Sequence, residues 1–145
     1  MKMNAIGLPV LGLLLLVSSC AKNPAKKYSG DYYFTTQASS YIMSYYADTT
    51  VNFSGTVTAL TNDSIKIEYA PETHTHPIGP LPTVYIGGIV YARVDEEGNL
   101  SNADYTCTHC SFSGAFDDDG NVDLSFGYHA LGGGNSQTIH GTKVK

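Results

Sequence analysis

The stretch Tyr105-Thr106-Cys107-Thr108-His109-Cys110 holds two of the three cysteines in the chain, with a histidine between them. Two thiols at this spacing can form a redox couple, half of a zinc site or a covalent clasp. A redox couple needs a thiolate stabilised at a helix N-terminus or by cations, and this segment reads as strand and loop with Asp104 nearby. Zinc needs two further ligands. His74 and His76 are alternate residues of an extended segment, so both imidazoles project the same way, and with Cys107 and Cys110 they would complete a Cys2His2 set. The alternative for His74 and His76 is a pair of solvated loop histidines, because "PETHTHPIGPLP" holds four of the six prolines and must be irregular.

Asp117, Asp119, Asn121 and Asp123 offer oxygen at every second position, as calcium requires. The order fails for an EF-hand, since placing its glycine on Gly120 puts Ala115 at the first ligand position. A hairpin turn with Gly120 at positive φ accounts for the same residues. Tyr32, Tyr33, Tyr41, Tyr45 and Tyr46 cluster within fifteen residues. Exposed, tyrosines such as Tyr32, Tyr41 and Tyr45 would stack on sugar rings or apolar ligands; buried, they are ordinary core and girdle residues. No local spacing nominates a triad, a nucleophile elbow or a phosphate loop. The chain is expected not to be an enzyme.

The elements that must position these residues read as strands. Val51, Phe53, Val57 and Ala59 share one face of a period-two segment, Thr61-Asn62-Asp63 supplies a turn, and Ile65, Ile67 and Tyr69 alternate after it. Val122, Leu124, Phe126 and Tyr128 alternate after Asp117-Asp118-Asp119-Gly120-Asn121, and a third hairpin turns at Asp95-Glu96-Glu97-Gly98-Asn99 after a strand from Val84 to Val94. Without gaps, Phe53–Tyr69 and Phe112–Tyr128 share residues at five positions, which reads as one hairpin design used twice. Gly30–Thr36 reads as a first strand and Ser136–Val144 as a last. Residues 38–47 are expected as strand over helix on their aromatic content, and Gly132-Gly133-Gly134-Asn135 as a flexible hairpin connection. The fold expected is all-β, an antiparallel barrel of about eight strands, with a β-sandwich as the alternative.

The first twenty residues have one lysine, Lys2, then an apolar run from Ala5 to Val17, then Ser18-Ser19-Cys20: an export signal, too short to span a bilayer. Val17-Ser18-Ser19-Cys20 resembles the lipobox of bacterial lipoproteins. That resemblance implies cleavage before Cys20, acyl chains on Cys20 and a protein held on a bacterial membrane, the outer membrane foremost, on its periplasmic or surface side. It divides the chain into a signal peptide (1–19), a flexible tether (20–27, with three lysines) and one β domain (28–145). Losing Lys2 leaves 7 basic against 13 acidic residues, the wrong sign for nucleic acid. With Cys20 acylated, Cys107 and Cys110 are the two remaining thiols, and an even pair in an oxidising compartment is expected as a disulfide.

The pattern from Phe112 through "FDDDGNVDLSFGY" to "GGGNSQTIHGTKVK" resembles small bacterial lipoproteins with lipocalin-like (calycin) barrels, with Gly30-Asp31-Tyr32 standing where lipocalins carry Gly-x-Trp. The resemblance implies a barrel whose partner is a small molecule, a glycan or an envelope protein. The expectation is therefore a lipid-anchored binding or structural module without a cofactor; the alternatives are a zinc-binding envelope protein and a carrier of a small apolar or glycan ligand.

Overall fold

The computed structural model describes residues 23–70, 88–101 and 110–145, with Cys110 described by its backbone alone. A short helix, α1 (Pro24–Tyr28), precedes eight strands: β1 (Gly30–Ile42), β2 (Tyr45–Ala59), β3 (Ser64–Glu68), β4 (Ile89–Val94), β5 (Asn99–Ser101), β6 (Cys110–Phe116), β7 (Val122–Ala130) and β8 (Gly133–Lys143). Each strand pairs antiparallel with the next, and β8 pairs with β1, so the sheet closes into a barrel. Closure is what rules out the sandwich: β1 has a partner along both edges, Phe34 facing Phe53 on β2 and Gly141 on β8. Pairing with both β2 and β8 removes the free edge that β1 would present in an open sheet.

Alternation sets the core. Tyr32 and Phe34 on β1, Val57 on β2, Ile65 and Ile67 on β3, Val94 on β4, Val122 and Leu124 on β7 and Ile139 on β8 all point inward and are buried. Each large apolar side chain removed from water contributes about 1.5 to 3 kcal/mol. Among the described residues the first buried side chain is Ala25, and the core runs from there to Ile139.

One end of the barrel is shut by tight turns and by α1. Asn23 caps the helix by accepting from the Lys26 amide at 2.9 Å, and Pro24 occupies the first turn. The helix is pinned to the β2–β3 loop by the Ala25 amide, which donates to the Asn62 carbonyl at 3.1 Å. Tyr28 then stacks on Phe116 with centroids 4.2 Å apart. Residues 24–27, expected as tether, are thus part of the folded domain. Two further turns at this end are copies of one another. In Asp95-Glu96-Glu97-Gly98-Asn99 the aspartate accepts from the Asn99 backbone and side-chain amides at 2.8 and 2.9 Å, and Asp117 does the same for Asn121 at 2.8 and 2.9 Å. Gly98 and Gly120 supply the positive φ, 92° and 84°, that each turn requires.

Residues 38–47 are extended, as two strands and not one: the chain reverses at Met43-Ser44, with Met43 at φ 54°. The connection expected at Gly132–Asn135 is tighter than the sequence suggested, since Gly133, Gly134 and Asn135 already pair in β8. The hairpins β2–β3 and β6–β7 both form, but not in the register that their gapless alignment implies. That alignment would set Phe116 against Phe126, as Val57 faces Ile67; Phe116 instead faces Val122, because the acidic turn reverses the chain two residues earlier.

Candidate functional site

The eight strands are unequal. β1, β2, β7 and β8 run for 13, 15, 9 and 11 residues, whereas β3, β4 and β5 run for 5, 6 and 3. The long strands therefore extend past the short ones at the end opposite α1, where β1 and β2 meet at Ile42 and Tyr45 and β8 accompanies β1 to Gly133. Both Ala70 and Gly88, where the chain leaves and rejoins the described residues, lie on this same side of β3 and β4. This end is the mouth of the barrel.

Inward positions change character along β1. Tyr32 and Phe34 near the closed end give way to Thr36, Ala38 and Ser40 toward the mouth, all buried. On the neighbouring strand β8, Ile139 gives way to Gln137 and Asn135, and the register sets Ala38 against Gln137 and Ser40 against Asn135. Thr36, Ser40 and Gln137 are the buried polar residues among the described ones, and none is ionisable. Asn135 Nδ2 donates to Ser40 Oγ at 2.8 Å. Thr36 Oγ1 is fully enclosed with no hydrogen-bond partner among the described residues, an arrangement that costs the desolvation of a hydroxyl, about 1 to 3 kcal/mol.

Above this polar throat lies a cleft of about 310 Å³ lined by the end of β1 (Ser40–Ile42), by Tyr128 and Ala130 of β7, and by the β7–β8 turn through Asn135. Its lip is apolar and solvent-facing: Ile42, Met43 and Tyr45 at the β1–β2 tip, Tyr128 and Leu131 on the other side. A larger groove of about 580 Å³ at the closed end is lined by Asp63, Asp95, Glu96 and Glu97 with Arg93. There Asp95 is committed to Asn99, whose side-chain hydrogen bond holds its carboxyl below the usual carboxylate range. The mouth differs in having enclosed polar groups beside an apolar surface, the composition of small-molecule sites.

The residues singled out in the sequence fall in different places. Tyr45 stands at the mouth on the inward side, opposite Ile42. Tyr41 lines the cleft, but its ring lies on the outer face over Gly134, with its hydroxyl 3.5 Å from His129 Nδ1. Tyr32 is not a ligand contact. It is 1% exposed at the closed end, its hydroxyl proton is shared between the Tyr28 carbonyl at 2.8 Å and the Gly120 carbonyl at 2.7 Å, and burial pushes its phenol far above the ordinary value. Cys20, His74, His76 and Cys107 lie outside the described residues. The expected Cys107–Cys110 disulfide is corrected: among the described residues no disulfide is found, and Cys110 is placed by its backbone as the first residue of β6, opposite Tyr128. Among the described residues no three His, Cys, Asp or Glu side chains converge to hold a metal, and Asp117, considered for calcium, is held by Asn121 within its turn. No helix among them is long and apolar enough to cross a membrane.

Thr36, Ser40, Asn135 and Gln137 escaped the reading of the sequence. The signal was the one-face series Tyr32, Phe34, Thr36, Ala38, Ser40, an alternating strand whose inward residues turn from large and aromatic to small and polar. No family model, curated protein or solved structure matches the chain.

Proposed function

We propose that the chain is a lipid-anchored binding module of a bacterial cell envelope, a calycin-like barrel that takes up a small, partly apolar molecule at its mouth and performs no catalysis. The observation that carries this reading is the division of the barrel interior. The closed half is filled by aromatic and branched side chains, whereas the mouth half encloses uncharged polar groups beneath an apolar lip. An enclosed hydroxyl with no partner among the described residues is matched by a water or by a ligand head group that reaches the mouth. The lipobox-like Val17–Cys20 supports the envelope location and the acyl anchor.

The test of binding is saturable uptake of the neutral dye N-phenylnaphthylamine by the purified protein, together with native mass spectrometry of protein extracted gently from its membrane. Saturable fluorescence and a co-purifying small mass are expected; a dye that fails to saturate and a bare polypeptide would refute the binding role. The anchor is tested separately by feeding labelled palmitate. Label is expected on the wild type and lost in Cys20→Ala, and label retained by the variant would remove the anchor from the proposal.

A further inference from the structure

We propose that the mouth selects an uncharged amphipathic molecule and holds it head inward, with a hydroxyl or amide head group at Ser40 and an apolar tail against Ile42, Tyr128, Ala130 and Leu131. This rests on the binding role above and adds the class of head group and its direction.

Ser40 is 4% exposed, yet it lines the cleft, and its only partner among the described residues is the Asn135 amide that donates to it. Its own hydroxyl proton is therefore left for an acceptor in the cleft. Two rungs deeper on the same inward face, Thr36 Oγ1 is enclosed without a partner. Polar groups enclosed in this way are ordinarily matched by water or ligand. The tail direction follows from the lip, where apolar side chains stand at the outer end of the cleft and the polar ones at its inner end.

Selection against charge follows from what the throat lacks. Along β1, β2, β7 and β8 the inward positions from Thr36 outward are Thr, Ala, Ser, Ile, Leu, Tyr, Val, Phe, Gly, Asn and Gln, without a Lys, Arg, His, Asp or Glu. An ionised carboxylate or ammonium brought to Ser40 would exchange its water for a single hydroxyl and an amide, with no counter-charge among the described inward positions of these strands to offset the loss. A neutral head exchanges hydrogen bonds one for one. A free fatty acid is thus excluded at neutral pH while its glycerol ester is accepted.

The test uses residues 21–145, which keep every residue of the described core and leave out Cys20, the proposed site of acylation. Glycerol monodecanoate, decanoate and decylammonium compete against N-phenylnaphthylamine at about pH 8, where both ions are charged. The ester is expected to displace the dye at least about tenfold more effectively than either ion, a difference of ~1.4 kcal/mol. Decylammonium separates head-group burial from simple repulsion, since the acidic protein attracts it. Lowering the pH to about 5, near the ordinary range of a carboxyl, should strengthen decanoate and leave the ester unchanged. Ser40→Ala should weaken the ester about five- to tenfold, and Ser40→Thr, which keeps the hydroxyl, should restore it. Equal or tighter binding of either ion at pH 8, or an ester affinity indifferent to Ser40→Ala, would overturn the head-inward neutral site while leaving a binding barrel standing. A dye that does not bind at all would overturn both.

Discussion

At the closed end, Tyr28 stacks on Phe116 and Tyr32 shares one proton between two carbonyls; at the mouth, Met43 and Leu131 stand 84% and 107% exposed. The same antiparallel ladder, continuous along β1 from Tyr32 to Ile42, supports both. Backbone pairing therefore does not distinguish them. The difference lies in what occupies the inward positions: fully buried, interlocked apolar groups at one end, and at the other partly buried apolar groups such as Val51 and Phe126 mixed with Thr36, Ser40, Asn135 and Gln137 below a cleft. Stability should accordingly be concentrated at the closed end, with the mouth free to serve recognition.

The strongest attempt to break this contrast is Phe34→Ala, which removes a fully buried ring stacked 5.6 Å from Tyr32. A loss of about 3 to 5 kcal/mol is expected, read as a fall in the midpoint of chemical denaturation. A loss below about 1 kcal/mol would mean that the closed half is not the stabilising half. Next come the two copied turns. Gly98 and Gly120 share a positive φ, so alanine at either should cost about 1 to 2 kcal/mol. At Gly98 a methyl group would also meet the Phe116 carbonyl at 2.8 Å and the Tyr28 hydroxyl at 2.7 Å, whereas at Gly120 it meets only the flexible Lys143 side chain at 3.2 Å. Gly98→Ala should therefore melt clearly below Gly120→Ala; equal melting would place α1 away from the turn.

A smaller effect is expected from acid. The side-chain amides of Asn99 and Asn121 hold the Asp95 and Asp117 carboxyls below their ordinary range. A depressed folded-state value means stability present above about pH 4, where the unfolded carboxyl ionises, and lost as pH falls through the lower folded value. Replacing both aspartates with alanine should flatten the fall in melting temperature below about pH 4, and an unchanged acid profile would show that the turns do not depend on these carboxylates. The least effect is expected at the mouth. Leu131→Ser and Met43→Ser should leave stability within about 0.5 kcal/mol of wild type, and a loss above about 1 kcal/mol in either would show that the tips carry packing the contrast denies them.

What could be read from the sequence followed the same division. The closed-end turns announced themselves through Asp-x-x-Gly-Asn, and the alternation of Val122–Phe126 and Ile65–Ile67 set the inward face correctly. The reversal at Met43-Ser44 did not, because neither residue carries the glycine, asparagine or proline chemistry that marks a turn; the ladder on both sides imposes it. The helix was hidden by its polarity. "NPAKKY" has no apolar periodicity, yet Asn23-Pro24 is a capping residue followed by proline, a helix-start signal. The register of β6–β7 differs from that of β2–β3 because turn length, and not shared residue identity, fixes where the chain reverses. The polar throat required knowing which strand flanks β1 on its far side, and closure by β8 is a property of the whole sheet and not of any segment.

The docking of α1 also fixes a clearance. With the acyl chains proposed on Cys20, two residues separate the anchor from Asn23, and an extended chain reaches no more than about 3.5 Å per residue. The leash is then on the order of 10 Å, too short for the barrel to turn over. The shut end must rest against the bilayer surface while the strands, tilted as barrels demand, lift the Met43 and Leu131 tips roughly 30 Å above it. A fluorophore at residue 43 should escape quenchers dissolved in the lipid, and efficient quenching would show that the barrel lies on its side. Standing upright, the molecule would draw its cargo from the aqueous space or from a facing surface and not from the leaflet that holds it.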